Sequence, residues 1–292
     1  MPLMPHRLLL TALLILLAGA APGWSGPSPE TVPSEPVRIK QGQAILFKVR
    51  FAPPPVSVEG RFRQRTIPFF AAGEPGEFAA LIGADLADPP SRETLEVKAA
   101  GSEGIPQERK FIIEILSTEF ATQTLTVPDK FVELDEATLK RVKQEQEEIL
   151  GAMKGVTPER MWDGVFLKPT EGEARGSFGL RRIMNGQPRS PHSGEDIGAP
   201  LGAEVKAMAG GAVVLVGDFF FSGKSVILDH GLGFYSMYFH LNDVDVKDGQ
   251  HLNKGDRIGH VGATGRATGP HLHWGARLNG ARINPLSLLN LP

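Results

Sequence analysis

The sequence predicts a mainly β protein in which two β-rich regions are joined by one helix. Three observations carry that expectation. Between Val37 and Thr118, short apolar runs with two-residue alternation are separated by turn residues, and no helical pattern intervenes. Only residues 135–153 place apolar side chains at helical spacing. From Gly164 onward the chain holds 22 of its 34 glycines, set between strand-like runs such as Ala212 to Val216 and Ser225 to Leu228, which implies tight turns between strands.

Residues 1–20 read as a signal peptide. Arg7 precedes the apolar run Leu8 to Leu17, and Ala18-Gly19-Ala20 supplies the small residues expected before a cleavage site. That run is shorter than the ~20 residues of a membrane span, and no later apolar stretch is long enough. No Cys follows it to carry a lipid. An exported chain with no stable membrane span after cleavage is therefore expected, in the periplasm or cell envelope.

Residues 21–36, rich in Pro, Ser, Gly and Glu, read as a flexible leader. Residues 37–118 follow as a β-sandwich-like domain. In it Ile45, Phe47, Val49 and Phe51 alternate with Leu46, Lys48 and Arg50 until Pro53-Pro54-Pro55 ends the run. Further strands are expected at 56–58, 67–70, 78–82, 94–97 and 111–116. No titratable groups gather there, so a packing or binding module is expected, one that could meet a protein activator or wall-synthesis partner.

Residues 119–163 form a linker with an amphipathic helix. Leu139, Val142, Ile149, Leu150 and Met153 share helical spacing, Asp135 is the N-cap, and Gly151 and Gly155 can end it. Such a helix is expected to dock on its own protein. Residues 164–292 are the last domain.

Composition narrows the function. Hydrophobic residues make up 41% of the 292, enough to bury cores. Lys plus Arg number 31 against 33 Asp plus Glu, a net charge of −2, which argues against a nucleic-acid partner. The absence of Cys excludes disulfides, thiolate metal sites and cysteine nucleophiles. Of eight histidines, seven lie between His192 and His273.

In His271-Leu272-His273, two histidines two apart on a strand point to one face. In His192-Ser193-Gly194-Glu195-Asp196, an imidazole and a carboxylate, both zinc ligand types, flank a glycine that lets the chain bend round an ion. In Tyr238-Phe239-His240 the histidine is expected to share a face with Tyr238. Three protein ligands and an open fourth position mark a catalytic zinc site. A cupin-like barrel also uses His-x-His, but it needs a Glu soon after the pair, and none follows His273.

The set His192-x-x-x-Asp196, Tyr238-x-His240-Leu241 and Thr268-Gly269-Pro270-His271-Leu272-His273 resembles the lysostaphin/LytM-type zinc metallopeptidases. Phe178-Gly179-Leu180-Arg181 and Gly255-Asp256-x-Ile258-Gly259 add to the resemblance, which runs from about Gly164 to Leu288. It implies an antiparallel β-sheet peptidase domain, one Zn²⁺ held by His192, Asp196 and His273, and two catalytic non-ligand histidines, His271 and His240. Peptidoglycan is the implied substrate, its peptide cross-links hydrolysed by a zinc-activated water. His271 is expected to act as general base and His240 to bind the oxyanion, with the reverse assignment also open.

The rival reading is a catalytically silent or latent scaffold that activates other wall hydrolases, with the linker lying across the groove. Of the other residues, His230 is expected at a turn, His251 and His260 at the surface, and Glu195 as an exposed carboxylate. Arg181 is expected near the site, and Phe219-Phe220-Phe221 as either groove wall or core.

Overall fold

The computed structural model describes residues 35–101 and 106–291; the expected signal peptide and most of the leader lie outside them. The alternation seen in the first region builds two facing sheets. A five-stranded sheet runs in the order Val37–Lys40, Pro106–Leu116, Ser91–Ala100, Ser57–Phe62, Arg65–Pro68, and a three-stranded one in the order Ala44–Arg50, Glu77–Gly83, Phe70–Ala71. Between them lies a core that includes Ile39, Phe47, Val49, Phe62, Ile82, Leu95 and Ile113.

The small sheet is apolar on both faces, which is why Ile45-Leu46-Phe47 runs without a polar break. Phe47, Val49, Ala80 and Ile82 face the sandwich core, whereas Ala44 and Leu81 pack into the core of the C-terminal region. Polar contacts close the same junction. Arg282 donates to Asp85 from its backbone and its guanidinium at 2.6–3.0 Å, and Ala44 N donates to Ser287 Oγ at 3.1 Å. The described residues thus form one compact unit.

The C-terminal region is an antiparallel sheet in the order Glu173–Ala174, Gly194–Gly198, Leu272–Leu278, Phe234–Val244, Gly223–Gly231, Gly211–Phe219, His251–Leu252. Its register decides what meets what, because cross-strand partners share a face. Asp196, His273 and Phe239 form one row; Glu195, Trp274 and Tyr238 form the next, on the opposite face. Trp274 and Tyr238 are among the largest fully buried side chains, so the inner row anchors the strands that display the outer one.

One element was not foreseen. Within the linker, Thr122–Leu125 is a strand that pairs in parallel with Arg181–Met184, which in turn pairs with Gln187–Arg189. The expected helix is present as α1, Glu136–Ala152, with the Asp135 carboxylate accepting from Thr138 N at 2.7 Å. It ends one residue past Gly151, so that glycine lies within its last turn. Apolar packing is confined to the C-terminal end of α1, where Ile149, Ala152 and Met153 pack on Leu215, Tyr235 and Met237; further up, Glu145 accepts from Phe220 N at 2.8 Å and Leu139 stays 57% exposed. No described helix is long and apolar enough to cross a membrane.

Candidate metal centre

The i, i+2 spacing of His271 and His273, and the pairing of Asp196 with His273, bring the outer row together with His192. His192 Nε2 lies 2.7 Å from His273 Nδ1 and 3.2 Å from Asp196 Oδ1, and His273 Nδ1 lies 3.0 Å from the same oxygen. Among the described residues these three form a group able to hold a metal ion. A second group, Asp243, Asp245 and His260, is closed by its own contacts: His260 Nδ1 hydrogen-bonds Asp243 and Arg257 forms an ion pair with Asp245.

The donor chemistry fits zinc. His192 Nδ1 sits 3.0 Å from the Ser177 carbonyl, which can only accept, so the ring proton is on Nδ1 and Nε2 offers a lone pair. Two imidazole nitrogens and a carboxylate oxygen then converge, all acceptors unless a cation or proton lies between them. Ligands ~2.0–2.2 Å from a tetrahedral zinc lie ~3.3–3.6 Å apart, so these atoms need to spread by less than about an ångström to hold one. A Cβ on Gly194 would come within 2.5 Å of His273 Nε2, so only glycine leaves room for the second imidazole.

His271 and His240 complete the arrangement, with ring centroids 4.8 Å apart. His271 Nδ1 donates to Gly269 O at 2.8 Å, and His240 Nδ1 donates to Thr264 O at 2.8 Å. The His271 Nε2 atom thus faces Asp196 Oδ1 at 3.8 Å. With His192 and Asp196, both rings line a cavity of about 90 Å³. All five residues singled out from the sequence are therefore neighbours.

Burial sets the charge states. Desolvation opposes ionisation of Asp196, but the His192 and His273 imidazoles against its carboxylate outweigh it and hold the carboxyl well below its usual range. Desolvation, then the nearby His273 and His271, push His240 down to about 3, and desolvation also lowers His271. These two rings are neutral near pH 7, as proton acceptors must be.

The structure corrects several expectations. His240 does not share a face with Tyr238, whose hydroxyl instead accepts from Met208 N inside the core. Between the pairs Tyr238↔Val226 and Leu241↔Lys224 the chain carries one extra residue, and His240 adopts φ = 63°. This bulge rotates the ring onto the outer face, in a left-handed conformation that is uncommon for a non-glycine residue.

Glu195 is fully buried, not exposed. Its carboxylate accepts from Ser177 N at 3.1 Å and Phe178 N at 3.2 Å. Ser177 is the residue that sequence reasoning missed: its Oγ accepts from Asp196 N and its carbonyl orients His192. Its position immediately before Phe178-Gly179 was the available signal.

Arg181 is exposed, whereas its neighbour Arg182 reaches to 3.6 Å from Asp196 Oδ2. His230 is not at a turn: it is buried within Gly223–Gly231, its Nδ1 on Gly210 O and its Nε2 on Ser236 Oγ, both at 2.7 Å. His251 is exposed and His260 partly buried; Phe219 is core, while Phe221 lines a groove.

Comparison with known proteins agrees with this geometry. The model of peptidase family M23 matches residues 190–285, which span both ligand-bearing segments. A crystal structure from Pseudomonas aeruginosa assigned to peptidase M23 aligns at 32% identity and a TM-score of 0.67, covering 87% of this chain and 95% of that one. The chain belongs to peptidase family M23.

Among curated relatives, the peptidoglycan DD-endopeptidase ShyA of Vibrio cholerae is 38% identical over 103 residues, 35% of this chain and 24% of that protein. The DD-carboxypeptidase/endopeptidase Mpg of Neisseria meningitidis is 41% identical over 97 residues, 33% of this chain and 22% of that protein. The chain thus spans about a quarter of the length of these relatives.

Proposed function

We propose that this chain is an exported zinc metalloendopeptidase of the bacterial envelope that hydrolyses peptide cross-links of peptidoglycan. His192, Asp196 and His273 hold one zinc ion. The observation that carries the reading is the convergence of three acceptor atoms within 2.7–3.2 Å of one another, beside two further histidines clamped at Nδ1. The names of the curated relatives support peptidoglycan as the substrate.

Bound there, zinc supplies Lewis acidity that activates water and polarises the scissile carbonyl. His271, with Nδ1–H fixed on Gly269, takes the proton at Nε2 and returns it to the leaving amine. His240 is the second acceptor. Its Nδ1–H is engaged by Thr264, so its Nε2 carries no proton with which to bind an oxyanion; it orients the attacking water instead. The inner-row residues and Ser177 hold these groups in place before substrate arrives.

Zinc analysis of the purified protein, with a digest of sacculi resolved by product mass, tests the proposal. One zinc per chain and release of uncrosslinked muropeptides are expected; a metal-free protein or intact sacculi contradict it.

One observation favours a second reading, a latent form. The linker strand Thr122–Leu125 brings Gln123 to the wall of the metal cavity, and Gln123 Oε1 is buried with no hydrogen-bond partner. An amide oxygen so placed can serve as a further ligand and keep substrate out. Gln123→Ala is expected to raise sacculus digestion and leave one zinc per chain; unchanged digestion removes latency.

A further inference from the structure

Three arginines lead away from the metal cavity. Arg182 and Arg266 line it, and Arg266 and Arg189 line a separate, larger groove of about 650 Å³. That groove lies between α1 and the sheet, with Phe219, Phe221 and Phe239 among its walls. Phe239 stacks on the His273 ring with centroids 5.4 Å apart, so the groove begins beside the metal centre.

These guanidiniums lack carboxylate partners of their own. The Arg266 guanidinium makes no hydrogen bond or ion pair among the described residues; it lies over the Phe221 ring, 4.3 Å from its centroid. Arg182 reaches only Asp196, which is committed to the metal, and its Nε is buried without a partner. Arg189 donates to Val132 O and Gln187 Oε1, both neutral. The acids lining the two cavities are Asp196 and Glu145, and Glu145 is occupied by Arg141 and by Phe220 N.

Desolvation, then the charges of Arg182 and Arg189, push Arg266 down to about 10. Clustering partly buried like charges is unfavourable unless an anion joins them, and guanidinium matches carboxylate in both charge and planar geometry.

We propose that Arg266 and Arg189, backed by Arg182, form a subsite for a free carboxylate on the peptide substrate, with the groove's aromatic walls taking the aliphatic part that bears it. This rests on the peptidase reading and narrows it: cross-links carrying a free carboxylate close to the scissile amide are preferred over amidated ones.

The test uses two synthetic cross-link peptides that differ only as carboxylate and carboxamide. Binding is measured on the metal-stripped full chain, alongside kcat and KM on the zinc-loaded protein. The carboxylate peptide is expected to bind about tenfold tighter, the scale of one charge-assisted hydrogen bond, with the advantage shrinking as salt rises.

R266Q should bring the carboxylate peptide down to the affinity of the carboxamide, and R266K should restore part of the difference. Equal affinities in the parent chain, binding of neither peptide, or an undiminished preference in folded R266Q overturns the subsite. Sacculus digestion separates the two readings. Sacculi cut without a carboxylate preference sink the subsite alone, and a preference in a chain that cuts nothing sinks the peptidase reading alone.

Discussion

His230 and the site histidines His192, His240 and His271 all give the Nδ1 proton to a backbone carbonyl, of Gly210, Ser177, Thr264 and Gly269 respectively. They differ at the other nitrogen. His230 Nε2 is taken up by Ser236 Oγ, which lies 3.0 Å from the Tyr238 hydroxyl, and the ring stacks on Phe234. The Nε2 atoms of His192 and His271 instead face Asp196 Oδ1 at 3.2 and 3.8 Å, and the His240 ring lies beside that of His271. A buried histidine with both nitrogens spent can only support the core. One whose Nε2 is left over in a polar cavity is available to a metal or a proton. Local sequence does not make that distinction: His230 and His240 both lie on strands of the same sheet, two strands that pair with each other, yet only one keeps Nε2 free.

The comparison breaks most visibly at the ligands. Asp196→Ala or His273→Ala removes a donor, and several kcal/mol of Lewis-acid assistance goes with it. Activity on cross-linked peptide should fall about a thousandfold or more, with zinc content near zero. Chelation of the parent chain should do the same and zinc should reverse it. Full activity in the metal-free protein is the opposing result.

Next come the two clamped rings that bind no metal. His271→Ala and His240→Ala should each lower kcat by about 10²–10⁴ while zinc content stays at one. Wild-type turnover in both variants contradicts their role.

For His230 the expected effect is on stability. Burial pushes its folded pKa down to about 4 from the ordinary 6.5. The neutral ring therefore stabilises the fold fully above about pH 6.5. As pH falls from there toward 4, the unfolded chain gains the proton first and about 3 kcal/mol is lost. Denaturant midpoints should drop across that window, and His230→Asn, less stable throughout, should drop less. A slope unchanged in the variant assigns the effect elsewhere.

The smallest effect tests the support beneath His192. Glu195→Gln weakens the acceptor that holds Ser177 and Phe178, and so loosens the carbonyl that orients the His192 ring. Zinc affinity should fall about tenfold, the lower end for outer-shell partners. Unchanged affinity confines Glu195 to packing.

Much of the site was legible because its spacing is short-range. His271 sits just before the strand Leu272–Leu278, bridged to Gly262, and His273 is that strand's second residue, so extended backbone two residues apart puts both on one face. His240 was placed on the wrong face because a single inserted residue inverts alternation, and nothing in Tyr238-Phe239-His240 announces a bulge. Arg181 and Arg182 exchange importance for a related reason: adjacent strand residues face opposite ways, and which side meets Asp196 is set by the partner strand. Glu195 reads as exposed because a carboxylate usually is; here two backbone N–H groups from a distant loop compensate its burial.

By itself the sequence determined the mainly β class, the helix with its Asp135 cap, and the residue types available to a metal: with no Cys, only imidazoles and carboxylates. Those depend on periodicity and chemistry carried within a few residues. The tertiary structure decided which imidazoles keep Nε2 unspent, and that the 122–125 strand crosses to the site. It also decided that Arg182, Arg189 and Arg266 gather without acidic partners. These depend on contacts between residues far apart in sequence, such as His192 with His273 across 81 positions, where register and burial, not local pattern, choose each neighbour.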